Sequence, residues 1–165
     1  MTRSASGSPD IQRHTKETTI YKHILISTDG SDLAQKGLDH GLTLAKGLGA
    51  KVTIATVTER LPVYFGLDAG AAAVAYDGYG ASQRDAARNT LTAAKAAAAK
   101  MGVTADTVLL ENALPAEAIL DTAKAHGCSL IAMASHGRRG LGRLVMGSVT
   151  AEVLAHSPVP VLVVR

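Results

Sequence analysis

The sequence predicts a doubly wound α/β fold, a sheet of five mostly parallel strands with helices on both faces. Three observations predict it. Short, largely apolar strand-like runs recur five times, as strands buried on both sides require. Segments with apolar residues at helical spacing separate them. Glycine, serine, aspartate or proline marks the junctions. Strands alternating with helices make right-handed crossovers, and their ligand site is expected at the carboxyl ends of the strands, near a switch point.

The first run is Ile24-Leu25-Ile26, which stops at Ser27-Thr28-Asp29-Gly30. Ser31 can cap a helix, and Ala34, Leu38, Leu42, Ala45 and Leu48 then share one face. Gly47 and Gly49 are expected to end it. Residues 51–57 are rich in β-branched side chains and read as the second strand. Residues 60–80 hold Pro62, four glycines and three of the four tyrosines, and read as a long loop with room for a helical turn. An alanine-rich helix is expected at 81–101, with Ala87, Leu91, Ala94, Ala98 and Met101 on one stripe and Gly102 as its stop. A third strand follows at about 104–111. Pro115 opens a helix reaching His126, with Ile119, Leu120 and Ala123 inward. Leu130 to Ala134 form the fourth strand, and a last helix and strand occupy about 148–156 and 160–164. Residues 1–19 are polar and without period, and are expected to be a disordered tail before a single domain at 20–165.

Composition narrows the function. Hydrophobic residues make up 47%, many of them alanine, and aromatics only 3%, so the core is expected to be close-packed Val, Leu, Ile and Ala. The net charge of +3 is too small and too dispersed to argue for nucleic acid. The lone Cys128 excludes an intrachain disulfide and fits a reducing compartment as a small buried residue. No run approaches the roughly 20 apolar residues of a membrane span, and residues 1–19 do not resemble a signal peptide; a cytoplasmic protein is expected. The six histidines do not fall at metal-ligand spacing. No nucleophile stands out beside a base.

The stretch from Met133 to Ser148 carries the chemistry. It leaves the fourth strand through Ala134-Ser135-His136-Gly137, passes Arg138, Arg139 and Arg143, and enters the last helix at Gly147-Ser148-Val149. Glycines let a backbone approach a phosphate, a helix N-terminus offers free N–H groups, and arginines add charged donors. The alternative is a tight connection with solvated loop charges. Arg143 stands where a P-loop has its lysine, so that motif is not matched. Asp29 reads either as a ligand residue or as a turn and cap shared with Ser31. His136 reads either as a phosphate contact or as a loop histidine bonded to backbone. Tyr64, Tyr76 and Tyr79 either cover a ligand or pack their segment onto the sheet.

Gly137, nine residues, then Gly147-Ser148 resembles the nucleotide signature of the universal stress protein family: Gly, two residues, Gly, nine residues, Gly, then Ser or Thr. Ile24 to Ser31 resembles that family's first strand and turn, and Ser157 to Val164 its last strand. The resemblance covers residues 20–165 and is least close at 60–80. It implies a Rossmann-like five-stranded sheet, usually dimeric, that binds ATP, ADP or AMP. Carried over, Asp29 would hold the base or ribose, with Ser27, Thr28 and Gly30 beside it. Val57 and Met133 would touch the base. Ala134, Ser135, His136, Gly137, Arg138, Gly147, Ser148 and Val149 would form the phosphate loop. Ala134 replaces the signature's first glycine, which an extended backbone tolerates and a left-handed one does not.

The reading is an adenine-nucleotide-binding regulatory protein, with Mg²⁺ expected beside the phosphates. A homodimer through residues 160–164 would cover an apolar sheet edge; the long loop is the alternative cover. Two other readings remain. One is a slow ATPase with His136 positioning water. The other is a dimeric interaction protein that does not bind ATP. No nucleic acid partner is expected.

Overall fold

The structure, a computed structural model, describes residues 20–59, 69–137 and 146–165, with residues 69–77 as backbone alone. The elements run β1 (His23–Ser27), α1 (Asp32–Leu48), β2 (Lys51–Glu59), α2 (Ala69–Lys100), β3 (Ala105–Ala113), α3 (Pro115–Ala125), β4 (Leu130–Ala134), α4 (Ser148–His156) and β5 (Val161–Val164). The strands form one sheet in the order β3-β2-β1-β4-β5, and every pairing is parallel. The order reverses between β1 and β4, which are hydrogen-bonded neighbours. That reversal is the switch point of a doubly wound fold.

Side-chain alternation along the strands separates two cores. Ile24, Ile26, Val52, Ile54, Leu130 and Ala132 face α1 and α2, against Leu38, Leu42, Leu91 and Ala98. Leu25, Ala55, Ile131 and Met133 point the other way, onto Ile119 and Ala123 of α3 and Val153 of α4. A period of two on strands buried on both faces needs apolar residues at every position, which is why the runs in the sequence are continuous.

The helix ends follow local chemistry. The Ser31 hydroxyl accepts the N–H of Ala34 at 3.2 Å and caps α1. The helix runs one residue past Gly47 and stops at Leu48. Gly49 then takes the left-handed conformation at φ 62° and terminates it. Pro115 opens α3 as expected.

Two expectations are corrected. The segment expected as a loop to residue 80 is helical from Ala69, so α2 is 32 residues long rather than starting at 81. Residues 69–75 are five alanines, one glycine and one valine, and alanine is the best helix former. Gly70, Gly78 and Gly80 cost about 1 kcal/mol each relative to alanine. A helix already nucleated on Leu91, Ala94 and Ala98 extends through them, because propagation needs no new nucleus. Tyr64 and the rest of 60–68 lie outside the described residues, as does the tail at 1–19.

The second correction concerns β3, which continues two residues beyond 111 to Ala113. The β2–β3 ladder slips there: Val57 pairs Leu110, whereas Glu59 pairs Ala113. The extra β3 residue is accommodated by Asn112 at φ 54°, whose N–H donates to the Thr58 hydroxyl at 3.1 Å.

Among the described residues no helix is long and apolar enough to cross a membrane. Cys128 is buried under α3, and burial pushes its thiol up to about 11. The folded chain therefore keeps its proton at pH values where the unfolded thiol, near 9.0, has lost it. Unfolding releases a proton in that window. Stability is expected to fall between about pH 9 and 11, by on the order of 2 kcal/mol. Urea midpoints at pH 8 and 10.5 check this, with Cys128→Ala expected to flatten the slope.

Candidate functional site

A cleft of about 410 Å³ opens at the carboxyl ends of β1, β2 and β4. Its size falls within the range of small-molecule sites.

On the β1 side, the chain leaves the sheet by a tied turn. Thr28 N–H donates to Ala55 at 3.0 Å, and the Thr56 hydroxyl donates to the Thr28 carbonyl at 2.9 Å. One Asp29 carboxylate oxygen accepts the Ser31 N–H at 3.0 Å. Gly30 follows at φ 79°, a conformation that favours glycine. Asp29 thus serves the turn with one oxygen while lining the cleft. Its other oxygen lies so close to Gly137 that a Cβ there would strike it. The turn reading and the ligand reading are compatible at this residue.

On the β4 side, Ala134 is extended and pairs with Val164. The only described residue other than glycine with positive φ is Asn112, so the methyl of Ala134 carries no backbone strain. The next residues pin the start of α4. Ser135 donates its N–H to Val164 and accepts the N–H of Gly147, both at 2.8 Å. The Thr150 hydroxyl donates to the Ala134 carbonyl at 2.9 Å. Gly147 is the N-cap, and no side chain caps the helix. Gly147, Ser148, Val149 and Thr150 all line the cleft. A helix start without a capping side chain leaves backbone N–H groups and the positive end of the dipole for an anion.

The structure brings most of the expected residues together. Ser27, Thr28, Asp29, Val57 and Met133 line the cleft beside Ala134, His136 and Gly137 from β4 and its loop. Two do not. Gly30 sits behind the turn, where a Cβ would lie 2.8 Å from the Thr90 hydroxyl oxygen of α2. Ser135 is buried, and its hydroxyl meets Nδ1 of His136 at 3.0 Å, fixing that imidazole at the cleft. Arg138, Arg139 and Arg143 lie outside the described residues.

Other lining residues were not anticipated. Thr56, Thr58 and Glu59 come from the end of β2, Gln83 and Ala87 from α2, and Pro115 and Ile119 from α3. The β2 and α3 residues carried a usable signal, because a parallel sheet places every strand's carboxyl end on one side. Gln83 and Ala87 carried none locally. Among the described residues no group of His, Cys, Asp and Glu is arranged to hold a metal.

Residues 20–165 match the Universal stress protein family. The chain belongs to the universal stress protein family. Universal stress protein YxiE of Bacillus subtilis is 35% identical over 149 residues, covering 88% of this chain and all of the relative. Among solved structures, universal stress protein UspA of Lactobacillus plantarum superposes with a TM-score of 0.68 at 26% identity, covering 88% of this chain and 98% of that one. Two more distant universal stress proteins share the fold and were solved with nucleotides. One is a complex with cAMP (TM-score 0.66, 24% identity, 88% and 98% covered). The other, from Archaeoglobus fulgidus, is a complex with dAMP (TM-score 0.61, 23% identity, 88% and 99% covered).

Proposed function

We propose that this universal stress protein binds an adenine nucleotide in the cleft and acts as a nucleotide-responsive regulator. The observation that carries the reading is the meeting of Gly137 and the uncapped start of α4 with Asp29 around one cleft at the switch point. The phosphates would lie against Gly137 and the N–H groups of Ser148 and Val149. The base and ribose would lie towards Asp29, Val57 and Met133. ATP is the form we favour, with Mg²⁺ held by the phosphate oxygens rather than by a cluster of protein ligands. The relatives solved with cAMP and dAMP support an adenine nucleotide as the class of ligand. We also place the protein in the cytoplasm, where its buried thiol stays reduced.

The same reading includes a homodimer through β5. That strand lies at a sheet edge with three of its four residues half-buried, and a second copy pairing there would satisfy its outer backbone groups. Sedimentation velocity reads this directly against the 17.0 kDa chain.

A thermal-shift titration of ligand-free protein with ATP, ADP, AMP, cAMP and GTP tests the nucleotide. A ligand at 100 times its dissociation constant adds about 2.7 kcal/mol, which raises the midpoint by roughly 5–10 °C for a domain of this size. Adenine nucleotides are expected to give this shift and GTP a smaller one. Asp29→Ala is expected to weaken ATP about tenfold or more, the loss of a charged hydrogen bond. No shift with any nucleotide would replace this reading with that of a dimeric interaction protein.

A further inference from the structure

The long helix α2 places one aromatic ring at the mouth of the cleft. Tyr79, Gln83 and Ala87 line the cleft at successive i, i+4 positions, so they form one stripe of α2. Further along, Leu91, Ala94 and Ala98 anchor the helix in the core. Between the two sets, the Thr90 side chain packs against Gly30, the residue after Asp29. The wall bearing Tyr79 is therefore fixed to the turn that carries Asp29, not draped over it. Tyr79 is 50% exposed, among the few large apolar side chains the described residues leave in solvent. Across the sheet, on the α3 and α4 face, Pro115, Ile119, Met133 and Val149 line the same cleft. An aromatic ring on one side and aliphatic groups on the other suit a flat, weakly polar heterocycle. They offer nothing to a phosphate.

We propose that Tyr79 is the stacking residue of the nucleotide site, covering one face of the bound base from α2. This rests on the nucleotide reading above and extends it to a residue outside the glycine loop and the strand ends. Stacking needs only a π-face, so Tyr79 sets affinity for nucleotides over their base-free fragments. It does not choose between adenine and guanine. The phenol oxygen takes no part, and a ring of any aromatic kind serves.

The chain contains no tryptophan, so Tyr79→Trp installs a single indole at this position. Binding of ATP to the unaltered protein is measured first, by calorimetry. Tyr79→Ala is expected to weaken ATP about tenfold, within the usual range for an aromatic–base stack, with tripolyphosphate binding unchanged. Tyr79→Phe is expected to keep the original affinity. In Tyr79→Trp, ATP is expected to quench the indole emission, whereas tripolyphosphate and ribose 5-phosphate do not. Unaltered ATP affinity in Tyr79→Ala together with unquenched emission in Tyr79→Trp overturns the stacking role alone, provided the original protein binds ATP. Absence of ATP binding by the original protein overturns both readings. Tyr79 is half exposed and precedes the core-packed part of α2 at Leu91, so its replacement is expected to leave the melting temperature without ligand nearly unchanged.

Discussion

Gly147→Val is expected to abolish nucleotide binding, by at least a hundredfold or about 2.7 kcal/mol, while the domain stays folded. The backbone at Gly147 is extended, φ −62° and ψ 146°, which valine adopts without strain. Its N–H is already committed to Ser135 at 2.8 Å, so the residue cannot swing away. A Cβ would sit 3.1 Å from both Cα and Cβ of His136 and 3.3 Å from the Ser135 carbonyl oxygen. Those neighbours must yield by a few tenths of an ångström. The two γ-methyl groups, closed off on that side, are left with the cleft, over the N–H groups of Ser148 and Val149. A phosphate would have to displace them. Valine is also a poorer N-cap than glycine, so the melting temperature is expected to fall by a few degrees. Calorimetric titration with ATP and a melt without ligand separate the two effects, and Gly147→Ala should fall between. Full ATP affinity in Gly147→Val would show that the phosphates are not held at the start of α4.

The strand cores and the order of elements were legible because a buried parallel strand requires apolar residues at every position. Ile24 to Ile26 and Leu130 to Ala134 have little other use. The start of α2 was not legible. Glycine and tyrosine between 60 and 80 argued for a loop, whereas the decisive factor was a nucleus twenty residues further on, at Leu91. The slip between β2 and β3 was equally hidden, since it depends on the Asn112 N–H finding the Thr58 hydroxyl across the ladder.

The candidate site divides the same way. Gly137 and Gly147 were legible from glycine spacing, and Asp29 from the resemblance of the first strand and its turn; all three are properties of short segments. Glu59, Gln83 and Ile119 reach the cleft only because three separate elements converge on it. Asp29 shows how two readings of one residue can both hold. Its carboxylate ties the turn through Ser31 and still borders the cleft, so its turn role does not argue against a ligand role. Ala134 shows a departure from a signature that the local backbone absorbs, because an extended strand residue has room for a methyl.

The close seating of α1 on the sheet leads to the largest expected effect on stability. Gly37 and Gly41 lie one turn apart on the buried face of α1. A Cβ at Gly37 would lie 3.1 Å from the backbone nitrogen of Ala134, at the edge of the site. A Cβ at Gly41 would lie 2.7 Å from Cδ1 of Ile26 and 3.3 Å from Cβ of Ala132. Each glycine costs about 1 kcal/mol of helix propensity, and that is offset by the burial of Ile26, which is fully inaccessible. Gly41→Val is expected to cost about 3 kcal/mol, because Ile26 is enclosed on all sides and cannot turn aside. Ile26→Ala is expected to cost about 2–5 kcal/mol by leaving a cavity. In the double variant the valine methyl groups enter the space the isoleucine vacates. The two losses should then fall short of their sum by at least about 1 kcal/mol, which is the coupling of residues in contact. Urea denaturation of the four proteins measures the cycle, with equal m-values as the check that each unfolds in one step. Strict additivity would mean that α1 lifts from the sheet instead of compressing Ile26. In that case Gly37→Ala, acting on the Met133–Ala134 backbone, should weaken ATP binding as strongly as it weakens the fold.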